Sequence, residues 1–216
     1  MLVFGQFAKK AYICRRNLKR MKKSTKNDLV KRLSMTTAAC LLTLTAIMAQ
    51  DVKVEFMTPS IVHVMKNAPG GQLPPQKKSL VVTATPEDVK LTVKGNTTYS
   101  SELAVRLDEK KGCLTFMTAK GKMLLREKSC DFHSQASTPN TQVNQTFLLD
   151  KDEAIYGLGT IQNGKMNRRG EHKRMEQSNL EDFQNVIQSI KGWGIFWDNY
   201  SPTLFDDDAN GMSLTS

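Results

Sequence analysis

The stretch that decides the fold runs from Glu153 to Phe205 and reads EAIYGLGTIQNGKMNRRGEHKRMEQSNLEDFQNVIQSIKGWGIFWDNYSPTLF. Its YGLG tetrapeptide (156–159) predicts a strand that ends in a turn, where glycine lets the backbone approach a neighbouring strand closely. The tetrapeptide is half of a dinucleotide-binding fingerprint, but the third glycine and the helical pattern that should follow are missing. An architectural role is therefore favoured over phosphate binding.

Two tryptophans, Trp193 and Trp197, lie four residues apart in an extended segment, so they point to the same side. Aromatic faces can stack on the C–H faces of sugar rings. Tryptophan is also strongly buried on average, which favours a place in the core of a sandwich or in a seam between domains.

The blocks of this stretch, taken in order, resemble the signature of glycoside hydrolase family 31, the retaining α-glucosidases and α-xylosidases. They are YGLG (156–159), QNG (162–164), NRRG (167–170), KGWG (191–194) and WDNYS (197–201). The resemblance implies a galactose-mutarotase-like N-terminal β-sandwich that precedes a barrel carrying two catalytic aspartates. No block contains those aspartates, so the resemblance assigns no catalytic residue to this chain.

Polar residues fill 163–169 (NGKMNRR) and 176–182 (EQSNLED), between two segments with strand character. Such side chains suit sugars, because each hydroxyl can both donate and accept hydrogen bonds. In family 31 a loop of this domain reaches over the barrel and helps to shape the subsite of the terminal sugar. The resemblance places Gln177 and Asn179 in the variable part of that loop, as candidate substrate-binding residues. The alternative is that they only solvate a surface loop.

Acidic residues cluster at Asp206, Asp207 and Asp208, shortly before Gly211. Adjacent residues of a strand point to opposite faces, so three in a row do not form a catalytic pair. The expected structure is a solvated turn. The acidic residues at 150, 152 and 153 are interpreted in the same way.

Upstream, short apolar alternations are separated by turn residues at intervals of about ten residues, which predicts an all-β fold, an antiparallel β-sandwich. The region 134–144 is polar and is predicted to be a loop or an excursion between two strands. No stretch of twelve or more residues keeps a helical period. The predicted strands are Val52–Met57, Ser60–Lys66, Ser79–Thr85, Val89–Val93, Ser100–Leu107, Cys113–Thr118, Met123–Lys128 and Gln142–Leu149.

The net charge of +10 belongs to a leader. Residues 1–50 hold eleven Lys or Arg and one acidic residue, whereas 51–216 hold twenty of each sign. Nucleic-acid binding is therefore not expected. A basic region followed by the apolar run Met35–Ala49 is typical of a secretory signal peptide, and that run is too short for a stable membrane span. We expect cleavage after Ala49, with the signal at 21–49 and residues 1–20 as an upstream extension, translated or not.

A chain of 216 residues cannot hold this domain and a barrel, which alone needs roughly 250 residues. The expectation is a leader (1–49) and a β-sandwich domain (50–216) that stops before the catalytic barrel. The implied partners are that barrel, in the same protein, and an oligosaccharide substrate bound through it. Export implies a periplasmic or extracellular location. A free-standing carbohydrate-binding or structural module is the alternative.

Two cysteines fall in the mature domain, Cys113 and Cys130. Export would permit a disulfide between them, but two half-buried thiols are favoured, because most cysteine pairs lack the Cα spacing that a disulfide requires. The histidines at 63, 133 and 172 are scattered singly, without the spacing of a metal site. No metal or other cofactor is expected.

Overall fold

A computed structural model of the chain describes residues 2–5, 51–71, 79–134 and 141–216. These residues form strands, turns and bends and contain no helix. No described segment is a long apolar helix that could cross a membrane. The strands are β1 (Leu2–Gly5), β2 (Val52–Thr58), β3 (Ile61–Lys66), β4 (Thr92–Lys94), β5 (Thr97–Tyr99), β6 (Leu103–Asp108), β7 (Cys113–Thr118), β8 (Met123–Ser134), β9 (Thr141–Leu148), β10 (Ile155–Thr160), β11 (His172–Met175), β12 (Asp182–Ser189), β13 (Trp193–Phe196), β14 (Thr203–Asp208) and β15 (Gly211–Thr215).

The described strands build two antiparallel sheets. The first has six strands in the order β10-β12-β13-β1-β3-β2, and the second has nine in the order β11-β14-β15-β9-β8-β7-β6-β5-β4. One cluster of buried apolar side chains joins them, with Val62 and Ile195 from the first sheet and Phe116, Phe147 and Phe205 from the second. The predicted all-β, sandwich-like class is confirmed.

Both tryptophans of the deciding stretch lie in this core. Trp193 is fully buried, and Trp197 is 8% exposed. The Trp193 indole donates from Nε1 to the Glu153 carboxylate at 2.7 Å, and Trp197 Nε1 donates to Ser216 Oγ at 2.9 Å. The core interpretation of the two residues is therefore confirmed.

The YGLG tetrapeptide forms most of β10, which pairs with β12. A β-carbon on Gly157 or Gly159 would lie 2.1 Å from a carbonyl oxygen of β12, that of Val186 or Asp182 respectively. The intervening Leu158 has a φ of 65° and is fully buried. The predicted close backbone approach is confirmed, and it coincides with a β-bulge.

Two predicted strands are wrong. Residues 79–85 form a bend and irregular chain with one isolated bridge at Thr85. The reason is that backbone donors go to side chains: Leu80 N–H bonds to Tyr200 Oη at 2.9 Å, and Val82 N–H bonds to Ser79 Oγ at 3.0 Å. Such local bonds compete with a sheet ladder. The strand predicted at 89–93 is displaced to β4, three exposed residues that pair with β5.

The predicted 134–144 loop is also partly wrong. Strand β8 continues to Ser134, and β9 already begins at Thr141, so that Asn144 pairs with Asp131. Polar residues can form a strand where the backbone ladder continues past the core. Residues 135–140 lie outside the described part of the chain. The strand at 100–107 begins late, at Leu103, because Ser100 Oγ accepts the Leu103 N–H at 2.9 Å and closes a turn.

Candidate functional site

The loop between β11 and β12, residues 176–181, carries both candidate sugar-binding residues. The Gln177 amide closes the base of this loop: its Nε2 donates to Asp182 Oδ1 at 2.9 Å, and its Oε1 accepts the Phe183 N–H at 2.9 Å. Asn179 is exposed within the loop. Gln162 braces the far side by donating to Leu180 O at 2.8 Å. The loop is thus held in shape from both sides.

A cleft of about 580 Å³ lies beside this loop. Gln177 lines one part of it, and the exposed Tyr200 lines another. Asn185 donates to Asn199 O at 2.9 Å and holds the chain that carries Tyr200. An exposed aromatic ring beside amide groups suits a neutral ligand with many hydroxyls. The structure therefore brings Gln177 into a cleft with sugar-compatible chemistry, while Asn179 is not among the residues that line it.

The NRRG block (167–170) is structural. Arg168 is buried and bonds to Gly157 O at 3.2 Å and to Glu171 Oε2 at 3.4 Å. Arg169 donates from Nε to Asp207 Oδ2 at 2.7 Å and from Nη1 to Glu153 O at 2.6 Å. Arg168 thereby holds the loop after β10 against β10 itself, and Arg169 holds it against the end of β14.

The predicted solvated turn at 206–208 is wrong. These residues end β14, and Asp207 is only 4% exposed. Its carboxylate accepts bonds from Arg169 and from the Gly170 N–H, the latter at 2.7 Å. The reason is the alternation along β14: Thr203, Phe205 and Asp207 are buried on one face while Leu204 and Asp208 are exposed.

Glu153 was also expected to be solvated, and that expectation is wrong. The residue is 3% exposed, and its carboxylate accepts bonds from Trp193 Nε1, Ser189 Oγ, the Asp150 N–H and Lys191 Nζ. Burial opposes the charge of Lys191, but hydrogen bonds to Asp150 and Glu153 raise the pKa of this lysine. Glu153 is thus the anchor of a buried network. Glu153 lies two residues before the buried Ile155, and residues two apart in extended chain point to the same face. This alternation was the sequence signal that was missed.

A second buried pair links the two sheets. Lys66 of β3 donates to Glu127 of β8 at 2.5 Å and to Gln145 of β9 at 3.2 Å. Glu127 also accepts the Leu114 N–H at 2.6 Å. Burial nevertheless raises the pKa of Glu127, and burial likewise raises the pKa of the neighbouring Cys113 thiol. Burial thus opposes the charge of this carboxylate, while the bond from Lys66 favours it.

Removing one member of this pair is expected to cost more than replacing both. Lys66→Met leaves a buried carboxylate without its cation and should lower the free energy of unfolding by about 3 kcal/mol. Glu127→Gln keeps an acceptor for Leu114, so the double variant should be more stable than Lys66→Met alone. Urea unfolding of both single variants and the double variant checks this. A double variant that is the least stable of the three would contradict it.

The partly exposed pair Lys173–Glu181, at 3.4 Å, offers the matched control. Both side chains are about a quarter exposed, and solvent screens their attraction. Lys173→Met is expected to change the free energy of unfolding by less than about 1 kcal/mol.

Cys113 is buried and forms no disulfide with Cys130, which is half-buried. They lie on the adjacent strands β7 and β8, but the register places Thr115 opposite Arg126, so the two cysteines are not cross-strand partners. Among the described residues, no group of three or more His, Cys, Asp and Glu side chains is arranged to hold a metal ion.

The two antiparallel sheets with a shared core define the class as an all-β, sandwich-like domain. The chain belongs to the glycosyl hydrolase 31 N-terminal galactose mutarotase-like domain family, whose model matches residues 51–206. The family resemblance of the sequence is thereby confirmed.

Relatives with assigned activity agree with this membership. The chain is 34% identical over 169 residues to an α-xylosidase of Saccharolobus solfataricus, covering 70% of this chain and 22% of that enzyme. It is similar to the crystal structure of a family 31 α-xylosidase from Xanthomonas citri, with 25% identity, a TM-score of 0.65 and coverage of 76% of this chain and 19% of that one.

A third relative shows the shared fold alone. It is a family 31 α-xylosidase from a soil metagenome, complexed with xylose, with 18% identity and a TM-score of 0.67. The match covers 79% of this chain and 29% of that one. In all three comparisons the chain spans less than a third of the relative's length.

Proposed function

We propose that this domain is the N-terminal, carbohydrate-binding and structural portion of an exported retaining exo-α-glycosidase that hydrolyses terminal α-linked xylose or glucose. The observation that carries the proposal is the family match over 51–206, together with 34% identity to an α-xylosidase of which this chain spans 22%. In this proposal the catalytic aspartates belong to a following barrel, and the present chain is inactive alone.

The hydrogen bonds and ion pairs of the buried acidic residues support the assignment of catalysis to a following barrel. A retaining glycosidase needs two carboxyl groups about 5 to 5.5 Å apart and open to substrate. The carboxylates of Glu153 and Asp207 are buried and bonded to Trp193 and Arg169 respectively. Glu127 is buried against Lys66. These carboxylates hold the sandwich together, which favours a supporting domain over a catalytic one.

The role proposed for the 176–181 loop is to contact sugar at the entrance of the catalytic site. It projects between β11 and β12, and Gln177 faces the cleft that Tyr200 also lines. The Gln177 amide shapes the loop, because both of its polar atoms bond to residues 182 and 183. Asn179, which is exposed, is left to offer its amide to a hydroxyl.

Replacing Asn179 by alanine in the full-length enzyme should therefore raise KM for an oligosaccharide by about three- to tenfold, the worth of one neutral hydrogen bond. The value of kcat should change less than twofold, because the contact lies away from the reacting bond. Steady-state kinetics on xylose- and glucose-terminated substrates measures both. The matched control is Asn210→Ala, in the exposed turn between β14 and β15. Equal KM values for the two variants would contradict the role of Asn179.

The surface beside the cleft is proposed to pack on the following catalytic domain. Leu80, Val81 and Tyr200 are exposed, by 83%, 61% and 64%. They are adjacent, since Tyr200 Oη accepts the Leu80 N–H. A contiguous exposed apolar patch marks an interaction surface. A barrel in the same protein is the partner that the longer family members provide.

The deciding experiment is to assay the full-length gene product and the 216-residue chain on aryl α-xyloside and aryl α-glucoside. Hydrolysis by the full-length protein and none by the short chain is expected. Activity of the short chain would overturn the proposal, and so would an inactive full-length protein. Cell fractionation tests export: the protein should be in the periplasm or medium, with a new N-terminus near Gln50.

The alternative is a free-standing carbohydrate-binding or structural module. It would bind sugar without any barrel, through the cleft at Gln177 and Tyr200. Calorimetry of the 216-residue chain with xylo- and malto-oligosaccharides separates the two, because only the free-standing binding module needs measurable affinity by itself. The family match favours the multidomain enzyme.

A further inference from the structure

The strand β1 is formed by leader sequence, yet it lies inside the six-stranded sheet. Leu2–Gly5 is antiparallel to β3 on one side and to β13 on the other. Val3 stands opposite Val62 and also opposite Ile195. Both of these neighbours are fully buried. Directly opposed residues share a face of a sheet, so the position of Val3 belongs to the core-facing side.

Removal of the leader leaves this place empty. Neighbouring strands are about 4.8 Å apart, so β3 and β13 would stand roughly 10 Å apart with a gap between them. Each would then present a row of unpaired backbone N–H and C=O groups beside a buried core, which is costly unless another chain segment pairs with them. The sheet without β1 is therefore a groove shaped for one strand.

We propose that the groove between β3 and β13 is a strand-acceptor site, and that in the mature protein an extended apolar segment of the longer enzyme replaces Leu2–Gly5 there. This inference rests on the proposed removal of the leader. Delivery by the same protein is favoured because relatives are three to five times longer than the matched part, and a tethered segment binds at high effective concentration. A strand between β3 and β13 forms backbone hydrogen bonds along both of its edges, whereas a strand added at the edge of a sheet forms them along one edge only.

One end of the groove defines the occupant further. Leu2 pairs with His63 and Phe196, which marks the end where the occupant begins. A cavity of about 250 Å³ at this end is lined by His63, Trp197 and Asp198. Asp198 Oδ1 is buried there without a hydrogen-bond partner. The occupant should therefore carry a hydrogen-bond donor just before its apolar residues, with an apolar side chain at the position of Val3.

The test compares the 216-residue chain with Val3→Pro. Proline lacks the N–H and is excluded from central strands, so this change should expel β1. Lys10→Pro, in the same leader but outside Leu2–Gly5, is the control. Val3→Pro should lower the urea midpoint, and Lys10→Pro should leave it unchanged. Equal midpoints for the two variants would overturn the proposal.

The probe for the emptied groove is a fluorescent peptide with the sequence of residues 1–8, MLVFGQFA. Fluorescence anisotropy should show that it binds Val3→Pro at least tenfold more tightly than it binds the unchanged chain, whose groove is filled. The same peptide with proline at its third position should not bind. Absence of binding to Val3→Pro would overturn the proposal, as would a dimer of Val3→Pro that the peptide fails to disperse.

If Val3→Pro does not fold alone, refolding with the peptide provides the measurement. Recovery of soluble, folded protein with the peptide but not with its proline form supports the groove, and recovery with neither overturns it. These results are independent of glycosidase activity and of cell fractionation. An inactive full-length protein would therefore refute the proposed function without changing the peptide result, whereas a retained leader would refute both the proposed export and the replacement of β1.

Discussion

Gly159→Ala is expected to lower the free energy of unfolding by about 3 to 5 kcal/mol, the range of severe single substitutions. Gly159 has a φ of 89°, a conformation that side chains disfavour. The added β-carbon would lie 2.1 Å from Asp182 O and 2.8 Å from Gln184 N, and both are backbone atoms. Relief of that overlap requires β12 to move away from β10. The variant should unfold at much lower urea or fail to accumulate as soluble protein.

Gly164→Ala separates the steric effect from the conformational one. Gly164 has a similar φ of 70°, but nothing lies within 4 Å of its added β-carbon. Its cost should be only the conformational penalty, about 1 kcal/mol. Urea unfolding followed by tryptophan fluorescence suits the pair, because Trp193 lies in the core. A difference of less than 1 kcal/mol between the two variants would show that β10 and β12 are not in contact as described.

The fold class could be predicted from the sequence because the strongest periodic signals are local. Strand β7 was predicted with its observed bounds, Cys113–Thr118, and the glycines at 157 and 159 mark the close approach of β10. The failed strand at 79–85 depends on Tyr200, a hydroxyl 120 residues away that accepts the Leu80 N–H. No local pattern contains that partner.

The candidate site could likewise be predicted only in part. The polar 176–182 segment identified a loop, and the structure has one between β11 and β12. The cleft beside it could not be foreseen, since Tyr200 reaches it from the segment after β13. The burial of Asp207 was missed because a run of acidic residues suggests solvent, although its partner Arg169 lies in a block that the sequence had already marked. Charge composition indicates exposure only when the opposing charge is far away.

The order of the strands within the two sheets could not be predicted from the sequence. Residues 1–49 were expected to form a leader outside the sandwich domain, yet Leu2–Gly5 lies between β3 and β13 in the six-stranded sheet. A short apolar strand carries little information about its partners, because backbone pairing is independent of sequence and register is set by the neighbours. The place of β1 in the sheet is therefore recognised only from its two neighbours, β3 and β13.

Glu153→Ala is the second change with a large expected effect, about 3 to 4 kcal/mol of unfolding free energy. The carboxylate accepts the Trp193 indole N–H at 2.7 Å and the Ser189 hydroxyl, and both donors are buried. Lys191 Nζ lies 2.9 Å from the same group. Truncation leaves these donors without an acceptor and opens a cavity under the core tryptophan. Trp193 fluorescence should shift to longer wavelength as water enters.

The matched comparison for Glu153 is Asp150, which binds the same lysine from the solvent side. Asp150 Oδ2 lies 2.7 Å from Lys191 Nζ, but its side chain is 76% exposed. Asp150→Ala should leave both the urea midpoint and the fluorescence maximum close to those of the unchanged chain, because water replaces the lost contact. Glu153→Gln should fall between the two, since its amide oxygen still accepts from Trp193 while its NH₂ group faces other donors. Burial therefore predicts that the loss of stability increases from Asp150→Ala through Glu153→Gln to Glu153→Ala. A Glu153→Ala variant as stable as Asp150→Ala would mean that the network around Trp193 does not hold the sandwich.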